Sequence, residues 1–243
     1  MRGFRQASAQ AFTLGSLPVS GYPFSTFMLF AQTAAGLGGG NFCAFSLSDT
    51  ISTSTDGHKF MVYGGLSGTG FSARTIVGAT DKEAKVAIAG MSSGIIYGVM
   101  GVWTSASLRE CFVCRIGAID TASQTTSLTP AFDTADIGRF YAGGSATEYL
   151  TGQIGYFSIW DRAFTSTEFT DAFGSGQASQ KNWNDPRTVF PANLKFMWQA
   201  SKLASAASND KDQWAGITLT NVGSPTNLDE PPMLRRHPFL MAA

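Results

Sequence analysis

The chain has 243 residues, 44% apolar and 14% charged, and its 17 Lys and Arg balance 17 Asp and Glu to a formal charge of zero. That composition supports a packed core and argues against disorder. It also excludes a sequence-independent nucleic-acid binder, which needs an excess of basic groups to neutralise phosphates.

In chain order, Arg2 and Arg5 come first, and Gly, Ser and Pro then interrupt the apolar residues up to position 30. No continuous apolar stretch forms there, so no secretory signal is expected. Nor is there an apolar run of the ~18 residues that a membrane span requires. Short β-branched and aromatic runs then recur, punctuated by Gly, at 22–32, 42–48, 58–64, 84–90, 94–103, 108–117 and 151–161. In the first, Phe24, Thr26, Met28 and Phe30 alternate with Ser25, Phe27, Leu29 and Ala31. Both faces carry apolar groups, which predicts a strand covered on each side. In the last, Ile154, Tyr156, Ser158 and Trp160 are expected to oppose Gly155, Phe157 and Ile159. Many strands at regular spacing predict a sandwich or barrel.

Cys111 and Cys114 lie three apart in one of these strands. Such positions face opposite sides, roughly 10 Å apart, too far for a disulfide. With Cys43 the count is odd, and a single C-x-x-C is a poor zinc site. Three buried free thiols are expected, which suits a reducing compartment. At 163–174 the pattern changes. Thr165 caps a first turn, Glu168 reaches back three residues later, Phe169 and Phe173 repeat at i, i+4, and Gly174 suits the helix stop. Residues 174–192 read as a surface connection, 194–201 and 217–223 as two further strands, and 229–243 as an extended tail.

The stretch GRFYAGGSATEYLTGQIGYFSIWDRAFTSTEFTDAF resembles the signature end of laminin-G-like, concanavalin A-like lectin and glucanase domains. The matching positions are Gly143, Gly144, Gly152, Ile154, Ile159, Trp160, Arg162, Ala163, Phe164, Thr165 and Glu168. The resemblance extends over roughly 10–228 and implies an all-β fold, a two-sheet antiparallel jelly-roll sandwich with one short helix. Residues 1–228 then form one domain. The overall layout is also similar to domains of this kind in tailed-phage virion proteins. That similarity implies a capsid decoration or cement protein, or a fibre component, made in the host cytoplasm and oligomeric on a particle.

Chemistry is sparse. A glucanase needs two carboxyls on one strand face. The close pairs are Asp81/Glu83, Asp210/Asp212 and Asp229/Glu230, all in segments that read as turns or tail, with Asp81–Glu83 at best beginning a strand. Neither His58 nor His237 neighbours a nucleophile elbow. Gly38–Gly40 join two strands and do not open a helix, so no phosphate cradle is expected. The chain therefore reads as a non-enzyme. The resemblance adds calcium as a candidate ligand, with Asn209, Asp210 and Asp212 as hard oxygen donors. A sugar would need an exposed aromatic platform. Trp183 and Trp214 sit in connections, whereas Trp103, Trp160 and Trp198 lie within strand patterns and read as core. Trp183 fits a packing, interface or glycan role alike. In the tail, Met233, Leu234 and Phe239 flank Arg235 and Arg236. This segment suits docking on another subunit, folding back on its own sandwich, or disorder. Two functions compete: a non-catalytic interaction module binding other virion subunits, and a carbohydrate-binding adhesin or lectin recognising a host-surface glycan.

Overall fold

The computed structural model describes residues 2–4, 8–38, 40–51, 55–64, 69–89, 91–115, 118–173, 185–199 and 210–227. The strands are β1 (Arg2–Phe4), β2 (Ala11–Leu14), β3 (Phe24–Ala31), β4 (Asn41–Ser48), β5 (Gly57–Tyr63), β6 (Gly70–Val77), β7 (Thr80–Ala87), β8 (Ile96–Ser105) and β9 (Leu108–Arg115). They continue with β10 (Ala118–Gln124), β11 (Thr134–Ile137), β12 (Phe140–Ala142), β13 (Ser145–Thr147), β14 (Gly152–Trp160), β15 (Leu194–Gln199), β16 (Asp210–Lys211), β17 (Thr218–Val222) and β18 (Thr226–Asn227). A single helical turn, α1 (Ala34–Leu37), precedes β4, and one short helix, α2 (Ser166–Phe173), comes after β14.

Two large sheets face each other. One runs β10-β9-β8-β3-β14-β1-β18, with β15 also on β14, and the other runs β16-β17-β2-β11-β4-β5-β6-β7. The long ladders are antiparallel, for example β3 with β8 and β14, and β5 with β4 and β6. This is the expected all-β sandwich. Between the sheets lies the main core, which includes Phe24, Phe30, Phe45, Phe60, Phe71, Trp103, Phe157 and Trp198. A second cluster covers the outer face of the first sheet beneath α2, and a smaller one lies under the β12–β13 hairpin.

β3 is buried along its whole length, as its two apolar faces require. Phe24, Met28 and Phe30 enter the inter-sheet core, while Phe27, Leu29 and Ala31 enter the cluster under α2. β14 departs from simple alternation. Its register against β3 shifts between Ile154 and Tyr156, so Gly155 is the extra residue of a bulge. Ile154, Phe157 and Ile159 therefore all face the inter-sheet core, and Tyr156 and Trp160 face α2.

At the exit from β14 the capping box forms. The Glu168 N–H donates to Thr165 Oγ1 at 3.2 Å, and the Thr165 N–H donates to Glu168 Oε2 at 2.9 Å. Eight residues of helix have little stability alone. Phe169 and Phe173 are fully buried, and Phe173 stacks on Phe27 with centroids 3.9 Å apart. Arg162 donates to Glu168 and lies 3.7 Å over the Phe190 ring, which ties the helix start to the segment entering β15. Gly143 and Gly144 have φ of 56° and 73° and close the β12–β13 hairpin, a turn that needs positive φ at both central positions. Cys111 enters the inter-sheet core and Cys114 the opposite face, and all three thiols are free and buried. Trp103, Trp160 and Trp198 are core, as expected.

Candidate functional site

The expectation that Asp81 and Glu83 lie in a turn needs correction: both fall inside β7. β7 is an edge strand of the second sheet, and its charged residues suit an edge that must not pair with another chain. Period two places Asp81, Glu83 and Lys85 on the outer face, because Ala84 and Val86 enter the core. Arg74 stands opposite Glu83 and Ser72 opposite Lys85 on β6. Tyr63 and Asn41 face each other across β5 and β4. Asn41, Tyr63, Arg74, Asp81, Glu83 and Lys85 line a depression of about 290 Å³, near the lower end of ligand pockets, roughly 300–1,000 Å³.

Arg74 grips Asp81 with two bonds, one from Nε to Oδ1 at 2.7 Å and one from Nη2 to Oδ2. Glu83 Oε2 accepts from the Tyr63 phenol and from Ser72 Oγ at 3.1 Å. Burial and the Glu83 carboxylate hold the Tyr63 phenol well above its usual value, so it stays a donor. The Lys85 ammonium lies 3.9 Å over the Tyr63 ring. Asn41 Oδ1 is buried without a hydrogen-bond partner. The groove thus presents side-chain donors and acceptors side by side on adjacent strands.

The residues singled out in the sequence are placed elsewhere. Asp212 is 4% exposed, and its carboxylate accepts four backbone N–H groups, from Met197, Trp214, Ala215 and Ile217, at 2.7–3.1 Å. Asp210 Oδ2 accepts the Trp198 indole N–H at 2.8 Å. Both carboxylates tie the segment before β17 to β15. Among the described residues no group of three or more His, Cys, Asp or Glu is placed to hold a metal ion. Trp214 is 42% exposed at the turn between β16 and β17. Trp183, Asn209 and the tail residues Met233, Leu234, Arg235, Arg236 and Phe239 lie outside the described residues. The groove escapes a reading of the sequence because β6 does not stand out and Asp81–Glu83 reads as turn. The signal that could have found it is the alternation of Asp81, Glu83 and Lys85 with Ala84 and Val86.

Elsewhere on the second sheet, Lys59 is 3% exposed and pairs with Glu148 at 2.6 Å, its ammonium 3.7 Å over the Phe140 ring. Burial lowers the Lys59 pKa, opposed by Glu148. Asp136 is fully buried and accepts from Arg139 Nε and Thr13 Oγ1. Both networks anchor the β12–β13 hairpin and β2, and neither opens onto a pocket among those described.

The fold is an antiparallel two-sheet β-sandwich with one short helix. Comparison with solved structures gives the same class. A candidate carbohydrate-binding protein from Bacteroides ovatus superposes with a TM-score of 0.60 at 14% identity, covering 95% of this chain and 60% of its own. The enzymatically active domain of tailspike protein 2 from bacteriophage CBA120 gives 0.53 at 11% identity, covering 79% of this chain and 28% of its own. The Ruminococcus gnavus IT-sialidase CBM40 bound to α2,3-sialyllactose gives 0.51 at 10% identity, covering 68% of this chain and 93% of its own. The chain thus spans about three fifths of the Bacteroides protein's length. At these identities the likeness is one of fold. No family model matches the sequence, and no curated protein matches it.

Proposed function

We propose that this chain is a non-catalytic carbohydrate-binding module whose ligand lies in the groove on β4–β7. The observation that carries this reading is the groove's construction. Carboxylates, a guanidinium, an ammonium and an amide stand side by side on adjacent paired strands. Sugar hydroxyls both donate and accept, so such a mixed surface suits them. Asp81 and Glu83 already accept from Arg74, Tyr63 and Ser72, an arrangement for holding a ligand in register. The fold's occurrence in the Bacteroides and CBM40 proteins supports the sugar reading. A glycan array probed with the purified chain tests it. The expected result is retention of a defined set of glycans, released unhydrolysed. An array without a signal contradicts binding, and cleaved glycan contradicts the absence of catalysis.

The likeness to a tailspike domain favours a second reading, in which the module is a virion subunit of the decoration or fibre kind, repeated on a particle and docked through residues 229–243. Mass spectrometry of purified particles distinguishes the two. Many copies per shell support a structural role, and absence from particles removes it.

A further inference from the structure

At one end of the inter-sheet core, three polar side chains stand among aromatic rings. Trp103 on β8 and Arg109 on β9 are register partners. The His58 ring, on β5 of the opposite sheet, lies 5.7 Å from the Trp103 ring and is also flanked by Tyr22, Phe24 and Phe132. Gly101 makes room for this arrangement, because a Cβ there would meet the Trp103 ring at 2.8 Å. Each of the three polar side chains is at most 1% exposed.

Their hydrogen bonding is incomplete. Arg109 Nη2 donates to the carbonyls of Ala106 at 3.1 Å and Thr126 at 2.7 Å, while its Nε and Nη1 have no partner. Trp103 Nε1 and His58 Nε2 also have none. His58 Nδ1 lies 3.1 Å from Thr75 Oγ1, so the tautomer with its proton on Nε2 lets Nδ1 accept from that hydroxyl. No ion pair involves Arg109 among the described residues. A buried guanidinium without an opposing charge is costly, and native interiors satisfy such groups with a partner, water or an ion. A water would leave the guanidinium charge unopposed. An anion brings acceptors alone. Burial lowers the pKa of both Arg109 and His58; Arg109 adds to the effect at His58, and Tyr22 opposes it at Arg109.

We propose that Arg109, Trp103 and His58 form a buried binding site for one compact monovalent anion, a halide or a small carboxylate. The anion neutralises Arg109 and links the two sheets at this end of the sandwich. The site lies inside the core, apart from the β4–β7 groove, and does not depend on the sugar reading.

Crystals of the full chain grown with sodium bromide, measured at the bromine absorption edge, test the proposal. The expected result is an anomalous peak within hydrogen-bond reach of Arg109 Nε or Nη1, Trp103 Nε1 and His58 Nε2. A parallel crystal grown in formate and free of halide separates the two sources, by planar density for a carboxylate. Water-like density or none at that position in both crystals overturns the proposal. Thermal melting at constant ionic strength gives a second measurement. Exchange of a bulky anion for bromide raises the melting temperature saturably in the wild type and leaves Arg109→Met unmoved. An equal rise in both would contradict the site. Should the variant fail to fold, the anomalous map still decides.

Discussion

At the start of α2 the side chain of Thr165 and the carboxylate of Glu168 each satisfy a backbone N–H that the first helical turn cannot pair. Thr165→Ala removes one of those acceptors and is expected to cost about 0.5–2 kcal/mol. Urea unfolding measures it, and a midpoint equal to wild type would show that the cap contributes nothing. His58 makes a pH-dependent prediction. Burial, reinforced by Arg109, pushes its pKa down from 6.5 to about 3. The folded state keeps the ring neutral while the unfolded chain takes up a proton below 6.5. Its contribution to stability is therefore complete above pH 6.5 and is lost as pH falls toward 3. In buffer free of halide and small carboxylates, the unfolding free energy of wild type relative to His58→Phe should fall by roughly 1.4 kcal/mol per pH unit between about pH 6 and 4. Subtracting the variant removes the carboxylates common to both. A difference independent of pH would mean that His58 titrates normally in the fold.

At the scale of elements, the β12–β13 hairpin is held by the Lys59–Glu148 pair. The two partners are unequal, with side chains 4% and 25% exposed. Glu148→Ala strands an ammonium in the interior, at or below the ~3–5 kcal/mol typical of a broken buried pair. Lys59→Met keeps the contact with Phe140 and leaves a carboxylate that reaches water, so it should cost less. Equilibrium unfolding of the two variants gives the order, and the reverse order would refute it. The thiols give a simpler check: a reagent should count three on unfolded protein and none on the native chain, whose cysteines are all buried. Most of these elements are legible in the sequence. β3, β4, β8, β9 and β14 announce themselves through Phe, Val and Ile, and the helix through Thr165, Glu168 and the two Phe. The parity of β14 is not, because a bulge at Gly155 changes which residues face inward and leaves no mark beyond a glycine. β7 is obscured by its charges. An edge strand with one wet face reads as a turn until its partner β6 is in place. Asp210 and Asp212 show the converse: acidic spacing that reads as a cation site proves to hold an indole and a set of backbone amides.

For the whole molecule, the two sheets leave three surfaces with different fates. Among the described residues, α2 and the 185–193 segment cover the outer face of the first sheet, the β12–β13 hairpin covers part of the second, and the remainder around β4–β7 forms the polar groove. An open, strand-mounted polar face is the part of a sandwich free to take a ligand without disturbing the core. If the groove binds sugar, Arg74→Ala and Lys85→Ala should each weaken a glycan found on the array by about tenfold or more, about 1.4 kcal/mol, with little change in melting temperature. Titration calorimetry reads this, and unaltered affinity in both variants would move the site elsewhere. The most direct measurement is a crystal structure of the chain with that glycan bound. The ligand is predicted on β4–β7, with its hydroxyls meeting Arg74, Glu83 and Lys85. A glycan seated instead against Trp214, or in the loop depression lined by Leu17, Tyr22, Asp161 and Lys195, would contradict the account.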